Sequence, residues 1–392
     1  MPVRATKRGS ERTPLGGDYD VVVCGASFAG LSVARELRGA GARPLRVLVV
    51  DRYEIGERQT SACAAPTEWL VNMGLAASIR QTFRDLVIHR PGKTYRWTLP
   101  WTFSTFDYPL LCELLARQGD FTFDTAKVDG ITRGPVHTVH TDRGDLRAPL
   151  VVDALGWRRV LSEKPDAIQP PAARLSRGLE VHPPATGEDL ELWLDPKYIV
   201  PGYSWAFPAG DEVRVGVGSF DPHLKVKEPT VRLAQDIGIE TLGYQGNWIP
   251  HRIRPATGDG VFFAGDSAGH CLPTTAEGIR TAFYFGLACG RELRHVIDGR
   301  QTRAQALARY HSFSEDHRYA FDWLWRVQSI VSGINKYPAM DTTLDLMSRP
   351  RFVRWLFTHY LNIAPPSFAL DGARPWAVEP WSEPADDAPL AA

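Results

Sequence analysis

The sequence predicts an α/β fold that ends in a helical region, and three observations support this prediction. Near the N-terminus, a short strand over residues 19–23, a glycine-containing turn, a helical pattern over residues 28–37 and an apolar strand over residues 45–50 form a β-α-β unit. Residues 177–220 are strand-like and rich in valine and aromatic side chains. From residue 277 onward apolar residues recur at helical spacing, and the last block, residues 310–361, carries many aromatic side chains.

Composition narrows the class of protein. The chain has 392 residues, enough for two or three packing units, and 45 basic residues balance 45 acidic ones. This neutral balance argues against a nucleic-acid binder, which needs a basic surface. The apolar run over residues 21–34 is too short to span a bilayer, and no apolar stretch follows the basic N-terminus as in a secretory signal. The five cysteines are scattered without a CxxC pair, so we expect no metal site, no disulfide framework and a cytoplasmic location.

The first strand–turn–helix segment carries a nucleotide-binding pattern. Gly25, Ser27 and Gly30 follow the strand and open the helix, with Ala29 between them, and Asp51 ends the next strand. Such a turn allows close packing of helix on strand and directs free N–H groups of the helix N-terminus at a pyrophosphate, while the acidic residue binds a ribose hydroxyl. Ser27 replaces the usual second glycine but is still small. The segment therefore predicts dinucleotide binding.

Two later segments indicate that the dinucleotide is FAD. Gly265 and Asp266 follow an apolar strand and precede a long helix that opens at Gly278 and Ile279. A further acidic turn, Asp153, follows the strand at residues 150–152. FAD lies extended across its domain and needs contacts distributed in this way. Val128 completes the set of candidate cofactor-binding residues.

The order of the predicted strands, helices and motifs divides the chain into five parts. Residues 1–17 are expected to be a flexible leader and residues 371–392 a loose, proline-rich tail. Residues 18–160 and 250–300 are predicted to form a discontinuous Rossmann-like FAD-binding domain. Residues 161–249 would form an antiparallel, β-rich substrate domain, and residues 301–370 a helical C-terminal region.

The three motifs, in this order, resemble those of flavoproteins of the p-hydroxybenzoate-hydroxylase-like class. Within it, the alternating Tyr203, Trp205 and Phe207 followed by Pro208 are similar to the pattern of the geranylgeranyl reductase family. That family also has a cysteine-containing loop after the second strand, a Phe-Asp pair before a helix and an aromatic helical C-terminus. The counterparts here are residues 61–63, residues 106–107 and residues 310–361. The resemblance covers residues 18–360.

Two positions depart from that pattern. The family's Cys-Gly-Gly loop reads Cys63-Ala64-Ala65 in this chain, and an arginine often found three residues before the Phe-Asp pair is replaced by Phe103. Both lie where cofactor and substrate would meet, so the substrate could differ from a geranylgeranyl chain.

The resemblance implies a set of site residues. Cys63, Tyr203 and Trp205 would be catalytic, and the small residues Ala62 and Ala64 would let the backbone approach the flavin. Each has a simpler interpretation, since a free cysteine is a common buried residue and the two aromatics could pack in a hairpin core. A redox pair of Cys63 with Cys271 is a further hypothesis. His270 could exchange protons, but a structural histidine is the favoured interpretation.

The activity implied is that of an FAD-dependent reductase of carbon–carbon double bonds in an isoprenoid or related apolar substrate. The electron donor would be NAD(P)H or a protein, bound transiently, because no second glycine fingerprint precedes a helix. The expected partners are an apolar small molecule or lipid and no nucleic acid, and the aromatic C-terminal helices would allow peripheral contact with a membrane. One alternative is an FAD-dependent monooxygenase that hydroxylates or epoxidises an aromatic or terpenoid metabolite. Another is a non-catalytic flavin- or lipid-binding protein. A halogenase is not favoured, because its W-x-W-x-I-P pattern is absent.

Overall fold

The computed structural model describes residues 13–59, 61–163, 175–250, 252–335 and 338–371, and these form three sheets and nine α-helices. The strands, in chain order, are β1 Gly17–Asp18, β2 Val21–Cys24, β3 Val47–Asp51, β4 Ala64–Pro66, β5 Ile79–Arg90, β6 Lys93–Phe106, β7 Thr122–Thr125, β8 Val128–Thr132, β9 His137–Thr141, β10 Gly144–Ala148, β11 Leu150–Asp153, β12 Leu175–Val181, β13 Leu190–Trp193, β14 Gly202–Ala209, β15 Glu212–Ser219, β16 Gln245–Pro250, β17 Thr257–Gly258 and β18 Val261–Phe263. The helices are α1 Phe28–Glu36, α2 Thr67–Asn72, α3 Tyr108–Arg117, α4 Lys227–Asp236, α5 Ile279–Ile297, α6 Arg303–Glu315, α7 Arg318–Ile334, α8 Ala339–Met347 and α9 Pro350–Leu361. The predicted α/β class with a helical C-terminal region is confirmed.

A six-stranded sheet with the order β17-β18-β11-β2-β3-β7 holds the predicted nucleotide motif. All its pairs are parallel except β17 with β18. β2, β11 and β18 are fully buried, as their uninterrupted valine, leucine and phenylalanine runs predict for a sheet covered on both faces. From β2 the chain builds outward first to β3 and β7 and later, on the other side, to β11 and β18. The carboxyl end of β2 is therefore a topological switch point, where open α/β sheets bind their ligands.

The second large sheet has eight strands in the order β16-β12-β15-β14-β13-β5-β6-β4. Its strands come from three stretches of the chain, residues 64–106, 175–219 and 245–250. The sequence placed the first of these stretches in the FAD-binding domain. The long hairpin of β5 and β6 joins the other sheet instead, because β5 pairs with β13 in parallel. The two sheets are thus interleaved along the chain.

Directly paired residues place Trp205, Leu192, Ile88 and Tyr95 in one row across four strands of this sheet, so they share one face. Helices α8 and α9 cover the end of that face, where Ile88 and Tyr95 pack against Met340 of α8. The opposite face carries valines of β15 and packs on α4. The face that carries Trp205 is therefore the one on which the C-terminal helices pack, and α4 packs on the other face.

The predicted leader and tail fall mostly outside the described residues, which leave out residues 1–12 and 372–392. The described end of the leader differs from the prediction of a flexible segment. Leu15 is buried, and β1 pairs in parallel with β10 at the edge of a four-stranded sheet of order β1-β10-β9-β8. An apolar side chain and a row of backbone partners hold this part in place.

Candidate functional site

The turn after β2 has the geometry that its glycines predict. Gly25 has φ +112°, and a Cβ there would lie 2.3 Å from the carbonyl oxygen of Ala154. A Cβ on Gly30 would lie 1.9 Å from the carbonyl oxygen of Gly25, so the first turn of α1 sits directly on the strand. Ser27 occupies the N-cap position but makes no capping hydrogen bond, and its hydroxyl lies 3.2 Å from that of Tyr108. The first N–H groups of α1 have no partner within the helix and remain available to an anion.

Asp51 closes this turn from the end of β3. Its two carboxylate oxygens accept hydrogen bonds from the N–H groups of Ala26 and Tyr53, at 2.9 and 3.1 Å. Burial raises the pKa of Asp51, while these backbone donors lower it. A carboxylate has about four lone-pair sites, so Asp51 can still accept from a ribose hydroxyl while it holds the turn. Ala126 donates its N–H to the carbonyl of Asp51, and Val128, two residues later, begins β8 and is buried.

Asp153, at the end of β11, is engaged differently. It is fully buried, and its carboxylate accepts hydrogen bonds from the N–H groups of Leu155 and Leu161 and from the hydroxyl of Ser267. These bonds fasten the loop after β11 to the turn after β18. The arrangement favours a structural role for Asp153 over the predicted cofactor contact.

Asp266 lies after β18 in a single helical turn, beside the start of α5. Its Oδ1 is 3.7 Å from the position of a Cβ on Gly278, the N-cap of α5. Between them, Thr274 and Ala276 have φ values of +70° and +52°. Non-glycine residues adopt this region rarely, and for a β-branched residue it is strained. The loop over residues 272–278 is therefore held in a special conformation, and Ile279 begins the helix that follows it, while Gly265 begins the short helical turn that holds Asp266.

The buried position of Asp266 gives a pH prediction. Burial raises its pKa to about 6, partly offset by the guanidinium of Arg254. Because the folded-state pKa lies above the usual value, the folded protein holds this proton more tightly, and stability falls as pH rises through the interval from about 4 to 6. We expect Asp266→Asn to stabilise the flavin-free protein at pH 7 by about 1–2 kcal/mol and to have little effect at pH 4.

Thermal melting of the flavin-free protein at both pH values checks this prediction, with Asp259→Asn as the control at an exposed turn whose φ of +49° suits asparagine. A parallel loss of stability at pH 7 and pH 4 would contradict it. Flavin binding is expected to weaken in the Asp266 variant, since the second acidic turn of the site is changed.

Cys63 stands at the start of β4 with φ +51° and is fully buried. Arg214 of β15, itself buried, donates hydrogen bonds to the carbonyl oxygens of Ala62 and Cys63 at 2.8 and 3.1 Å and to that of Phe106 at 2.9 Å. The same guanidinium is paired with Glu212 at 2.7 Å. Burial raises the pKa of the Cys63 thiol well above its usual value, although Arg214 lowers it. The thiol is therefore neutral, and its unusual backbone conformation is fixed by Arg214.

Trp205 lies flat on the sheet face that also carries Arg214. A Cβ on Gly216, its partner on β15, would lie 2.3 Å from the indole ring. Only glycine leaves room for the ring at this position. The indole Nε1 donates to Oε2 of Glu180 on β12 at 3.2 Å. Tyr203, two residues along, donates its hydroxyl to the carbonyl of Thr275 at 2.5 Å, so the sheet face also contacts the strained loop before α5.

The structure thus links Cys63 and Trp205 through β15, since Arg214 of that strand bonds the Cys63 loop and Gly216, two residues along, lies under the indole of Trp205. Tyr203 is tied to the loop beside Asp266. Two further hypotheses concern a redox pair of Cys63 with Cys271 and the role of His270. Cys63 and Cys271 are both free and buried, and burial raises the pKa of each thiol well above its usual value, which disfavours the thiolate that disulfide exchange needs. His270 is fully buried, stacks on Phe285 at 3.7 Å and is bonded to Ser314 at 2.9 Å, which agrees with a structural histidine.

Aromatic side chains line the region between the sheet and the C-terminal helices. Phe103, the position of the family's arginine, packs beside Trp101, which in turn contacts Phe357 of α9 and donates its Nε1 to that residue's carbonyl. Tyr360 of α9 bonds the hydroxyl of Thr275 at 2.7 Å and also the carboxylate of Glu277. The C-terminal helices therefore touch the loop that opens α5.

Several of these residues were missed by sequence reasoning. Arg214, Glu180 and Tyr108 reach the site from strands and helices that are distant in sequence. Glu277 and Arg280, paired at 2.7 Å, are buried beside the loop. No local pattern marks Arg214, Glu180 and Tyr108, because each owes its place to tertiary pairing. Glu277 and Arg280 form an i,i+3 pair, and their signal was their position beside a motif already recognised.

The residues present fit FAD. A turn too close for a Cβ, an uncapped helix N-terminus, an acceptor at Asp51 and a second helix N-terminus beside Asp266 all lie at one edge of the parallel sheet. Among the described residues, no group of three or more His, Cys, Asp or Glu side chains could hold a metal ion. Within the same part of the chain, every helix is too short or too polar to cross a bilayer.

No family model matches the chain. Among curated relatives, digeranylgeranylglycerophospholipid reductase of Methanococcus vannielii is 29% identical over 130 residues, 31% of this chain and 33% of that protein. Digeranylgeranylglycerophospholipid reductase 3 of Methanosphaera stadtmanae is 22% identical over 340 residues, 76% of this chain and 83% of the relative. These names confirm the predicted resemblance to geranylgeranyl reductases.

Solved structures agree with the fold. A geranylgeranyl bacteriochlorophyll reductase-like protein of Thermoplasma acidophilum superposes with a TM-score of 0.76 at 15% identity, covering 91% of this chain and 98% of that protein. A probable FAD-dependent monooxygenase of Pseudomonas aeruginosa gives a TM-score of 0.58 at 16% identity, covering 88% of this chain and all of that protein. These structures confirm the predicted fold, and the relatives named above are reductases, in line with the predicted enzyme class.

Proposed function

We propose that this chain, a relative of the geranylgeranyl reductases in sequence and in fold, reduces carbon–carbon double bonds of an isoprenoid chain. The observation that carries the proposal is the placement of the Trp205 indole over Gly216 of β15, the strand whose Arg214 holds the Cys63 loop. An isolated alkene has no polar handle, so a flat aromatic surface is suited to hold it. Reduced FAD, when bound, supplies the hydride.

The chain's own residues would bind and orient the cofactor and the substrate, and they would exclude water from the site. We assign the pyrophosphate to the turn with Gly25, Ser27, Ala29 and Gly30, and the ribose to Asp51. Gly265, Asp266, Gly278 and Ile279 would border the flavin end, with Ala62 and Ala64 on the opposite side. Trp205 and Tyr203 would form the floor under the substrate, and the aromatic side chains of β6 and α9 would form an apolar wall.

Cys63 is proposed to matter for reduction more than for folding. Cys63→Ser keeps the side-chain volume but replaces a neutral, soft thiol by a hydroxyl in a buried place. We expect the variant to retain FAD and to lose about 1 kcal/mol or less of stability. Its anaerobic turnover should fall at least about tenfold, or roughly 1.4 kcal/mol of barrier.

Flavin content, melting temperature and anaerobic single-turnover rates measure these effects. Cys112→Ser is the matched control, because Cys112 is also fully buried and lies on α3. If the Cys63 variant and the parent reacted at the same anaerobic single-turnover rate, Cys63 would only contribute to packing.

The electron donor and the membrane contact are proposed on different grounds. The second glycine-rich stretch, Gly216 to Gly218, lies inside the antiparallel strand β15 and opens no helix, so NAD(P)H would bind transiently or be replaced by a protein donor.

The proposed membrane contact rests on an exposed apolar face of α7. Tyr319, Trp323 and Ile330 share this face and are 79, 54 and 60% exposed. Such a face suits peripheral contact with a membrane that holds the apolar substrate.

The test is anaerobic incubation of the chemically reduced protein with geranylgeranyl lipids, presented in detergent and in vesicles, followed by mass analysis. Products heavier by two hydrogens support a reductase, and a higher rate with vesicles supports the membrane contact. The alternative activity is that of a monooxygenase, because the probable FAD-dependent monooxygenase of Pseudomonas aeruginosa has a similar fold. It predicts that oxygen is consumed and inserted into the product. A flavin that no donor can reduce would instead indicate a non-catalytic flavin- or lipid-binding protein.

A further inference from the structure

The exposed sides of the C-terminal helices α7, α8 and α9 carry more positive than negative charge. Their residues 318–335 and 338–362 include three acidic side chains, and each is paired with a basic side chain from outside these helices: Asp322 with Arg252, Asp341 with Arg90 and Asp345 with Lys93. Four exposed arginines, by contrast, form no ion pair with any residue that the structure describes; they are Arg326, Arg349, Arg351 and Arg354. Within the described part of the chain, their four charges are therefore unbalanced.

Large apolar side chains stand among these arginines. Leu346 of α8 and Trp355 of α9 are each 54% exposed, and the indole of Trp355 lies against the rings of Phe352 and His359. On α7, Arg326 comes three residues after Trp323, so it shares the exposed face described above. We refer to the exposed side of α7 and of residues 346–355 as the outer surface.

The three helices direct their exposed sides away from a common core. Val331 of α7, Leu344 of α8 and Val353 of α9 belong to one apolar cluster with Ile88 and Tyr95 of β5 and β6. The exposed residues lie on the opposite side of each helix. The outer surface is therefore turned away from the eight-stranded sheet.

Helix stability does not account for the arginines at the start of α9. Arg349 is the N-cap residue, Arg351 stands in the first turn, and that turn has no acidic residue. Positive charges at a helix N-terminus oppose the helix dipole and reduce helix stability. A partner of negative charge would offset this cost.

The helices of the outer surface also contact the loop before α5. Thr274 donates its hydroxyl to the carbonyl of Leu324 at 2.7 Å and its N–H to the side-chain oxygen of Gln328 at 2.8 Å. Leu324 and Gln328 lie on the side of α7 opposite to Trp323 and Arg326. Since a helix with its side chains is about 10 Å across, a partner on the outer surface would be one helix away from this loop.

We propose that the outer surface binds a bilayer that contains anionic lipids. The inference rests on the proposed function, in which a membrane holds the isoprenoid substrate. Guanidinium groups pair with lipid phosphates, while tryptophan rings and aliphatic chains enter the headgroup region. Each arginine near an anionic surface adds to the attraction. The whole chain has no net charge, so the attraction comes from the local cluster, and the arginines make the contact selective for negative charge.

The test measures flotation of the flavin-loaded protein with vesicles. One set of vesicles is phosphatidylcholine alone, and the other also contains phosphatidylglycerol. The variant replaces three arginines of the outer surface together, Arg349→Gln, Arg351→Gln and Arg354→Gln. The matched control makes the same change of charge at three exposed arginines elsewhere, Arg38→Gln, Arg46→Gln and Arg309→Gln. Flavin content and melting temperature confirm that each protein is folded.

We expect the parent to bind the vesicles with phosphatidylglycerol at least about tenfold more tightly than those without it. The triple variant of the outer surface should lose this preference, and the control should keep it. The preference should also disappear between about 0.1 and about 1 M salt, where the Debye length falls from ~10 to ~3 Å. Trp355→Ser should weaken binding to both kinds of vesicle several-fold, because the ring contributes without regard to charge. If the triple variant does not fold, Arg326→Gln on α7 takes its place and should lose part of the preference.

Equal binding of the parent to both kinds of vesicle, or an equal loss of preference in the two triple variants, would overturn the proposal. Parental dimers that dissociate in the outer-surface variant, without a lipid preference, would assign the surface to a second copy of the chain and would also overturn it. Reduction of a geranylgeranyl lipid in detergent tests the proposed function separately. Its failure in the parent would overturn that function, whereas the vesicle measurements decide the outer surface.

The acidic C-terminal tail is the remaining competitor for the outer surface. Its charges are removed by four substitutions, Glu379→Gln, Glu383→Gln, Asp386→Asn and Asp387→Asn. If the parent binds neither kind of vesicle and this variant binds the one with phosphatidylglycerol, the tail would be the occupant and the proposal would be overturned. Equal binding of this variant and the parent to the anionic vesicles would support the membrane as the partner.

Discussion

The Gly30→Val variant is expected to lose its flavin. The first atom of any side chain at position 30 would lie 1.9 Å from the carbonyl oxygen of Gly25, and a valine adds two methyl groups to that overlap. The helix would have to move off the strand, and the N–H groups of its first turn would move with it. Overpacking of this kind costs about 1–3 kcal/mol or more, and the displaced anion site should weaken FAD binding at least about hundredfold, or roughly 2.7 kcal/mol.

The measurement is flavin content after gel filtration, together with titration of the flavin-free protein. Gly333→Val is the matched control, since Gly333 also lies in a helix, α7, but has open space where a Cβ would stand. It should keep its flavin. If Gly30→Val kept its flavin and bound it with the parental affinity, the turn after β2 would not be part of the cofactor site.

Arg214→Met is expected to produce the largest loss of stability among the site variants. The guanidinium is buried and serves three backbone carbonyls, those of Ala62, Cys63 and Phe106. Methionine fills much of the space but leaves these acceptors and Glu212 without their partner, and removing one member of a buried charged network costs about 3–5 kcal/mol. The Cys63 loop would also lose the contact that holds its left-handed backbone.

Denaturant unfolding and flavin retention measure this effect. Arg96→Met serves as the control, because Arg96 lies in the same sheet and pairs with Asp85 and Asp189 but is 51% exposed. Exposed pairs contribute about 0–1 kcal/mol, so its loss should be small. Similar losses for the two variants would contradict the role assigned to Arg214. Arg214→Lys should recover only part of the loss, since a lysine cannot reach several carbonyls in one plane.

The nucleotide half of the site could be predicted from sequence because its chemistry is local. Gly25, Gly30 and Asp51 lie within one β-α-β unit, where a short turn and the end of the next strand fix their relative positions whatever the rest of the chain does. The apolar strands and the alternation of Tyr203 and Trp205 could likewise be predicted, because side chains along a strand alternate between its two faces and the pattern lies within a few consecutive residues.

The substrate half depended on pairing between distant strands. Arg214 reaches the Cys63 loop, and Glu180 reaches Trp205, only because β15 lies between β12 and β14. Sequence gives the period of a strand but not its neighbours. For the same reason sequence could not show that the hairpin of β5 and β6 pairs with β13, or that three protein donors use the carboxylate of Asp153, a residue predicted to contact the cofactor.

The interleaving of the two large sheets sets the order in which a newly made chain can fold. Strand β2 leaves the ribosome well before part of its sheet, since one of its two neighbours, β11, follows only at residues 150–153, and β18 follows at residues 261–263. Long-range parallel pairing of this kind is slow and leaves strand edges open to aggregation while it is incomplete. The strands of the substrate sheet are synthesised inside that interval. The cofactor site is therefore finished only after β18 and the start of α5 have been made, so flavin binds after the strands of both large sheets are present. When flavin is scarce, a chain with its sheets already formed would wait for the cofactor.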